Sequence, residues 1–272
     1  MKKVIERILS LAGIALTSSQ NLADLRTSQE EFFDFKSIVF ESKAKNNFSV
    51  EGVGRAVGEI RRSTAQLHQD LITLLLLDFK NDGYFVEFGA TNGIKFSNSM
   101  LLETSYGWHG ILAEPGRKWQ KELKKNRSAI IETRCVWKNT GEFLEFNETE
   151  VGELSTLEMF SSSDLHANSR KSGVRYEVET VSLEELLEVN QAPTHIDYLS
   201  IDTEGSEFHI LKGFNFTKFT FSFISCEHNF TDSREQVRDL LESKGYVRIL
   251  EEMSSFDDWF VSSSLAKTKG FI

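Results

Sequence analysis

From residue 84 onward, short apolar runs of strand length alternate with amphipathic stretches of helical length. This pattern limits the chain to few architectures. The runs at 84–88, 110–113, 129–137, 196–201, 219–226, 246–251 and 259–262 read as strands. The stretches at 97–105, 117–126, 182–189, 207–212 and 233–244 read as helices, the last ended by Gly245 at a C-cap position. Such alternation predicts an α/β fold with helices on both faces of a seven-stranded, mostly parallel sheet. A hairpin turning at Asn139-Thr140-Gly141 is expected within 138–146. Segment 147–178 interrupts the pattern; it is polar and serine-rich and reads as a substrate-binding loop or lid.

Upstream of the turn signal Asn81-Asp82-Gly83, residues 53–80 read as one helix, with Leu67, Leu71, Leu74 and Leu75 at helical spacing. Residues 1–52 read as an N-terminal helical extension and 53–272 as the main domain. The extension is amphipathic and suits packing on a partner, including a homo-oligomer joined through the N-terminal helices. Its apolar part, 8–16, falls short of the ~20 residues needed to span a bilayer.

The 272 residues carry a formal net charge of -10, which repels a nucleic-acid backbone and argues against DNA or RNA as a partner. The basic residues at 117–127 suit a solvated helix face. Cys135 and Cys226, both in apolar runs, form neither a disulfide framework nor a zinc site; a reducing, cytoplasmic location is expected. No histidine spacing suggests zinc.

Open α/β sheets bind ligands beyond the carboxyl ends of their strands. Four such ends carry candidate residues. The first is Glu87-Phe88-Gly89-Ala90-Thr91-Asn92-Gly93, an apolar strand running into a glycine-spaced turn. Glycine admits a ligand close to backbone, and a following helix N-terminus offers free N–H groups. The three-glycine pattern for a pyrophosphate is missing. S-adenosylmethionine, which has no phosphate, suits this turn better than a dinucleotide does. Glu87 can order the turn or accept from the ligand's ammonium.

The second end is Glu114-Pro115, 27 positions after Glu87, where a carboxylate can accept from both hydroxyls of a ribose. At the third, Val136 or Trp137 can flank an adenine ring, or either can belong to the core. The fourth-strand motif IDYLSIDTEGSE places Asp202 and Glu204 at the cleft, where they can meet a sulfonium, a substrate hydroxyl or a divalent metal. Glu207 especially fits an acid favoured by a helix dipole. In Cys226-Glu227-His228-Asn229, His228 is a candidate general base or a structural histidine. Asp202 with Glu227 or Asn229 can instead form an oxygen-rich Mg²⁺ site, an option left open.

Together these stations resemble the FkbM-type methyltransferase family. The resemblance rests on VEFGATNG, GWHGILAEP, CVW with TGEFLEF, IDYLSIDTEGSEFHIL, CEHNF, GYVRIL and DDWF, and covers roughly 63–262. It implies a class I Rossmann-like methyltransferase fold, S-adenosylmethionine as donor, and O-methylation of a sugar, glycan or other small-molecule hydroxyl. Carried over by position, Glu87, Gly89 and Gly93 line the methionine side, Glu114 the ribose, and Asp202 and Glu204 the cleft; Ala90, Thr91, Asn92, Pro115, Val136, Trp137 and Asp202 are further cofactor-binding candidates. Asp202, Glu204 and His228 then orient and deprotonate the acceptor. His109 and Asn92 depart from the residues common in that family. A binding protein without turnover and a nicotinamide-dependent oxidoreductase are the rival readings.

Overall fold

The computed structural model describes residues 47–163 and 166–272. Most of the N-terminal extension, and with it the expected oligomer contact, lies outside the described residues. Among those described, no helix is long and apolar enough to cross a membrane.

The first described helix, α1 (Val50–Glu59), starts at Ser49, whose side chain accepts from Gly52 N–H at 3.0 Å. Its buried residues Val53, Ala56 and Val57, with Ile60 following, recur at helical spacing. The single helix expected over 53–80 is in fact two. A short 3-10 turn at Ile60–Arg62 ends the first part, and α2 (Gln69–Leu76) begins anew after His68 at φ 56°. Hydroxyls cause the break. Thr64 Oγ1 donates to the Ser97 carbonyl at 2.8 Å, and Ser63 Oγ donates to Asp70 Oδ1 at 2.7 Å. Those bonds hold the 63–68 segment out of the helical path, and it turns at 65–68 before α2 begins.

The main sheet comprises β1 (Tyr84–Phe88), β2 (His109–Ala113), β3 (Ile130–Glu132), β8 (His195–Ile201), β9 (Thr220–Glu227), β10 (Tyr246–Ile249) and β11 (Asp257–Ser262). Its order is β3-β2-β1-β8-β9-β11-β10. All neighbours are parallel except β11, which runs antiparallel to both β9 and β10. This is the class I methyltransferase arrangement. The order reverses between β1 and β8, so their carboxyl ends open a crevice.

The central strands are buried on both faces. Phe85, Leu112, Tyr198 and Trp259 pack with α1, α2, α3 (Met100–Tyr106) and α9 (Ser263–Thr268). Val86, Phe88, Ile201 and Phe260 pack on the other side with α6 (Leu183–Val189), α7 (Glu207–Lys212) and α8 (Ser233–Ser243). Burial on both faces explains why these strands read as continuous apolar runs.

Three expectations are corrected. The 129–137 run, expected to contain one strand, holds two. β3 stays in the main sheet, and β4 (Cys135–Trp137) leaves it to pair parallel with β7 (Val174–Ser182). The bend lies at Arg134, whose backbone N–H and guanidinium both bond the Glu132 carboxylate, at 2.9 Å and 2.7–3.1 Å. The expected hairpin at 138–146 does not form. β5 (Phe143–Glu148) pairs antiparallel with β7, because the turn at Gly141 closes on Thr180. Segment 147–178 is structured throughout most of its described length. It adds a 3-10 turn at Gly152–Leu154, β6 (Thr156–Leu157), α5 (Ala167–Arg170) and the start of β7, giving a second sheet β4-β7-β5-β6. The alternation in β7, with Arg175, Glu177 and Glu179 beside inward-facing Val178 and Thr180, is the strand signal in that segment.

Candidate functional site

The carboxyl ends of β1, β2, β8 and β9 surround a cavity of about 390 Å³, and the second sheet covers one side of it. Glu87, Gly89, Thr91, Glu114, Pro115, Val136, Asp202 and Glu204 all line it. Ala90, Asn92, Gly93, Trp137 and His228 do not.

Gly89 stands at φ 76°, and a Cβ built on it would lie 2.1 Å from the Asp202 carbonyl oxygen. The ends of β1 and β8 therefore approach as closely as backbone allows. Beyond Gly89, Asn92 Oδ1 accepts from the N–H groups of Ile94 and Lys95 at 3.0 and 2.9 Å. The Gly93 carbonyl accepts from Arg127 at 3.0 Å. Asn92 and Gly93 thus shape the turn and face away from the cavity. Arg127, expected on a solvated face of α4 (Arg117–Asn126), is instead buried just past that helix, paired to Glu103 at 2.8 Å.

The helix N-terminus expected to offer free N–H groups is already engaged. Residues 92–99 intervene before α3 starts, and Glu87 turns back to hold them. Its carboxylate accepts from Asn98 N–H at 2.8 Å, from Ser97 Oγ at 3.1 Å and from the Ser99 hydroxyl. Glu87 orders the wall of the cavity. Asn98 Nδ2 donates to Ser200 Oγ at 2.9 Å, and its Oδ1 is buried with no partner.

Glu114 is 5% exposed and links two strands' ends. Oε2 accepts from Thr91 N–H at 2.8 Å, and Oε1 accepts from Gly116 N–H at 2.7 Å. Burial pushes its pKa up to about 7, and the two backbone N–H groups oppose that rise. Each carboxylate oxygen keeps a further lone pair for a ligand hydroxyl. Apolar side chains adjoin it: Ala113, Val136, Phe146 and Leu157. Trp137 points elsewhere, stacked on His209 with centroids 5.2 Å apart and its Nε1 donating to Glu142.

Single carboxylate oxygens of Asp202, Glu204 and Glu227 lie within 4.8 Å of one another. Glu204, at φ 58°, accepts from Arg170 Nη2 at 2.7 Å and from Asn229 Nδ2 at 3.1 Å. Arg170 ends α5 in the segment read as a loop, so that segment supplies a buried cation to the end of the main sheet. Burial, reinforced by neighbouring carboxylates, drives Asp202 and Glu227 above the ordinary carboxylate range. Glu207 serves its own helix start: Oε1 accepts from Thr203 N–H and Gly205 N–H at 3.1 and 3.0 Å.

His228 is no free base. Nε2 meets the Asp257 carbonyl at 3.1 Å, and Nδ1 accepts from Phe230 N–H at 3.0 Å. That pairing fixes the neutral tautomer with its proton on Nε2. Burial lowers its pKa further. Cavity residues that sequence reasoning passed over include Gln66, Phe96, Asn98 and Phe146. Ser97-Asn98-Ser99, polar residues just before a helix, were the available signal for Asn98.

A family model for the methyltransferase FkbM domain matches residues 87–248, more than half of the chain. The chain belongs to that family. Its match begins at Glu87 and takes in Gly89, Glu114, Asp202 and Glu227, so the FkbM domain contains the whole row of strand ends around the cavity. No curated protein matches. Among solved structures, the chain is similar to a precorrin-6y C5,15-methyltransferase from Geobacter metallireducens GS-15, at 11% identity and TM-score 0.35 over 66% of this chain and 71% of that one. It is also similar to the pyocyanin biosynthetic protein PhzM, at 14% identity and TM-score 0.34 over 84% of this chain and 60% of that one. These likenesses are loose and say nothing of substrate.

Proposed function

We propose that this FkbM domain transfers the methyl group of S-adenosylmethionine to a hydroxyl oxygen of a sugar, glycan or other small acceptor. The observation that carries this reading is Glu114, a buried carboxylate at the end of β2 with both oxygens directed by backbone N–H groups beside an open cavity. The residues present fit the donor. Glu114 accepts from the ribose hydroxyls, the apolar wall of Ala113, Val136 and Phe146 receives the adenine, and the strand ends at Gly89 and Asp202 border the methionine arm. The buried Asn98 Oδ1 is an acceptor in want of a donor, which an ammonium group supplies.

S-adenosylmethionine, when bound, supplies an electrophilic methyl. The chain's own contribution is positioning and exclusion of water. The 152–157 segment closes the cavity from the second sheet, and Lys95 reaches across to pair with Glu153. The Asp202 and Glu227 carboxylates stand where an acceptor hydroxyl needs its proton taken. His228 has no share in that step, since both ring nitrogens are engaged.

Calorimetry with S-adenosylmethionine and with NAD(H) tests the donor. Binding of the first alone supports the reading, and binding of NAD(H) alone rejects it. A methyl-transfer screen across hydroxyl-bearing glycans then tests the acceptor class. Tight donor binding with no transfer to any acceptor favours a binding protein without turnover.

A further inference from the structure

Glu114 and Asn98 are buried at the strand ends, whereas Phe96 and Val151, which line the same cavity, are 40% and 53% exposed. Phe230, 66% exposed, directly follows Asn229, another lining residue. The cavity is thus polar within and apolar toward solvent. Large apolar side chains exposed singly mean little, but gathered at one opening they mark a binding groove. The three come from different walls. Phe96 lies in the turn after β1, Val151 just before the 3-10 turn at Gly152–Leu154, and Phe230 just after β9. The Lys95–Glu153 ion pair joins the first two walls.

Two of the three are held against their own preference. Phe96 stands at φ 60° and Phe230 at φ 57°. A bulky side chain keeps the left-handed region only where its surroundings impose it. Around Phe96, Lys95 N–H donates to Asn92 Oδ1 at 2.9 Å, Thr91 Oγ1 donates to the Lys95 carbonyl at 3.0 Å, and Ser97 N–H donates to the Ile94 carbonyl at 3.2 Å. Phe230 N–H donates to His228 Nδ1, and the two rings meet edge to face with centroids 5.1 Å apart. The fold therefore fixes both phenyl rings at positions that leave them exposed. Lys95 Nζ covers one face of Phe96, 4.7 Å from its centroid. Among the described residues, no aromatic ring stacks parallel on Phe96 or Phe230. Separate apolar patches of this kind suit a flexible chain better than a flat ring.

We propose that the acceptor is an amphiphile. Its hydroxyl-bearing head enters the cavity, and an alkyl chain attached to that head leaves over Phe96, Val151 and Phe230. This names the acceptor class and rests on the methyl-transfer reading above, but the binding of the chain needs no methyl donor.

The test uses the full chain with no donor present. The probes are n-alkyl β-D-glucosides from butyl to octyl, each below its micelle concentration, with D-glucose for comparison. Binding is followed by calorimetry and by saturation transfer to the alkyl protons. Affinity is expected to rise by up to about fourfold with each added methylene, glucose binding least. Phe96→Asn and Phe230→Asn insert a residue that tolerates the left-handed backbone, so both variants fold. Each should weaken octyl glucoside binding by about threefold or more, and the double variant should flatten the series. Phe143→Asn, as exposed as Phe230 but off the cavity, leaves the series unchanged. Affinity independent of chain length overturns the proposal, as does a series that survives the double substitution. Sedimentation with phosphatidylcholine vesicles, lost in the double variant and without binding of monomeric glucosides, overturns it in favour of a membrane surface. A dimer that the double variant dissolves, again without glucoside binding, overturns it in favour of a second copy of the chain. Donor binding without chain-length dependence rejects the amphiphile alone. Chain-length dependence without donor binding rejects the methyl-transfer reading alone.

Discussion

Gly89 lies directly against the main chain of Asp202: a Cβ on the glycine would stand 2.1 Å from the aspartate's carbonyl oxygen. The two residues follow neighbouring parallel strands, whose register pairs Phe88 with Ile201. Their contact brings together the strand ends at which the order of the sheet reverses.

Gly89→Ala forces either the turn or the end of β8 to move. The positive φ and the overlap with backbone together cost about 2–4 kcal/mol. The urea midpoint should fall accordingly, and donor binding should weaken in the variant that remains folded. An unchanged midpoint would show that the two strand ends are not in contact.

Glu114→Ala removes the acceptor for Thr91 N–H and Gly116 N–H as well as the proposed ribose contact. Affinity for S-adenosylmethionine, measured by calorimetry, should drop by more than ~1 kcal/mol, the scale of a lost charge-assisted bond. Unaltered affinity removes Glu114 from the site.

Asp70 makes stability depend on pH. It is fully buried, and desolvation raises its pKa from 3.8 to about 7. The folded state therefore binds its proton more tightly than the unfolded chain does. Its contribution is fully present below pH about 4 and is lost as pH rises through about 7, a loss of the order of 1–4 kcal/mol. Asp70→Asn cannot titrate and should flatten this part of the curve. Chemical denaturation of both proteins from pH 5 to pH 8 measures it, and parallel curves would refute the assignment.

His228→Gln should cost ~1–2 kcal/mol of stability, because a buried imidazole bridges Asp257 and Phe230. Once an acceptor is in hand, the acidic limb of its pH–rate profile should keep its position. A limb that disappears in the variant would restore His228 as the proton acceptor.

The parallel core was legible in the sequence because its strands are apolar on both faces and its turns carry Gly, Asn and Asp. These are properties of adjacent residues. The second sheet was not, since β4 is three residues long and β7 alternates charge with small apolar groups. Pairing between strands so far apart in sequence leaves no local mark. The break at 63–68 was hidden for the same reason: the groups that hold it, such as the Ser97 carbonyl, lie elsewhere in the chain.

The chain's own order of residues determined where acids follow strands, and hence that Glu87, Glu114, Asp202, Glu204 and Glu227 gather at one end of a sheet. Only the tertiary structure decided what each does there. Glu87 is spent on the 97–99 turn, Glu204 on Arg170, and Glu207 on its own helix, while Asp202 and Glu227 are left facing the cavity. A carboxylate's role follows from the donors that surround it. Donors such as Arg170 arrive from segments distant in sequence, brought close only by packing.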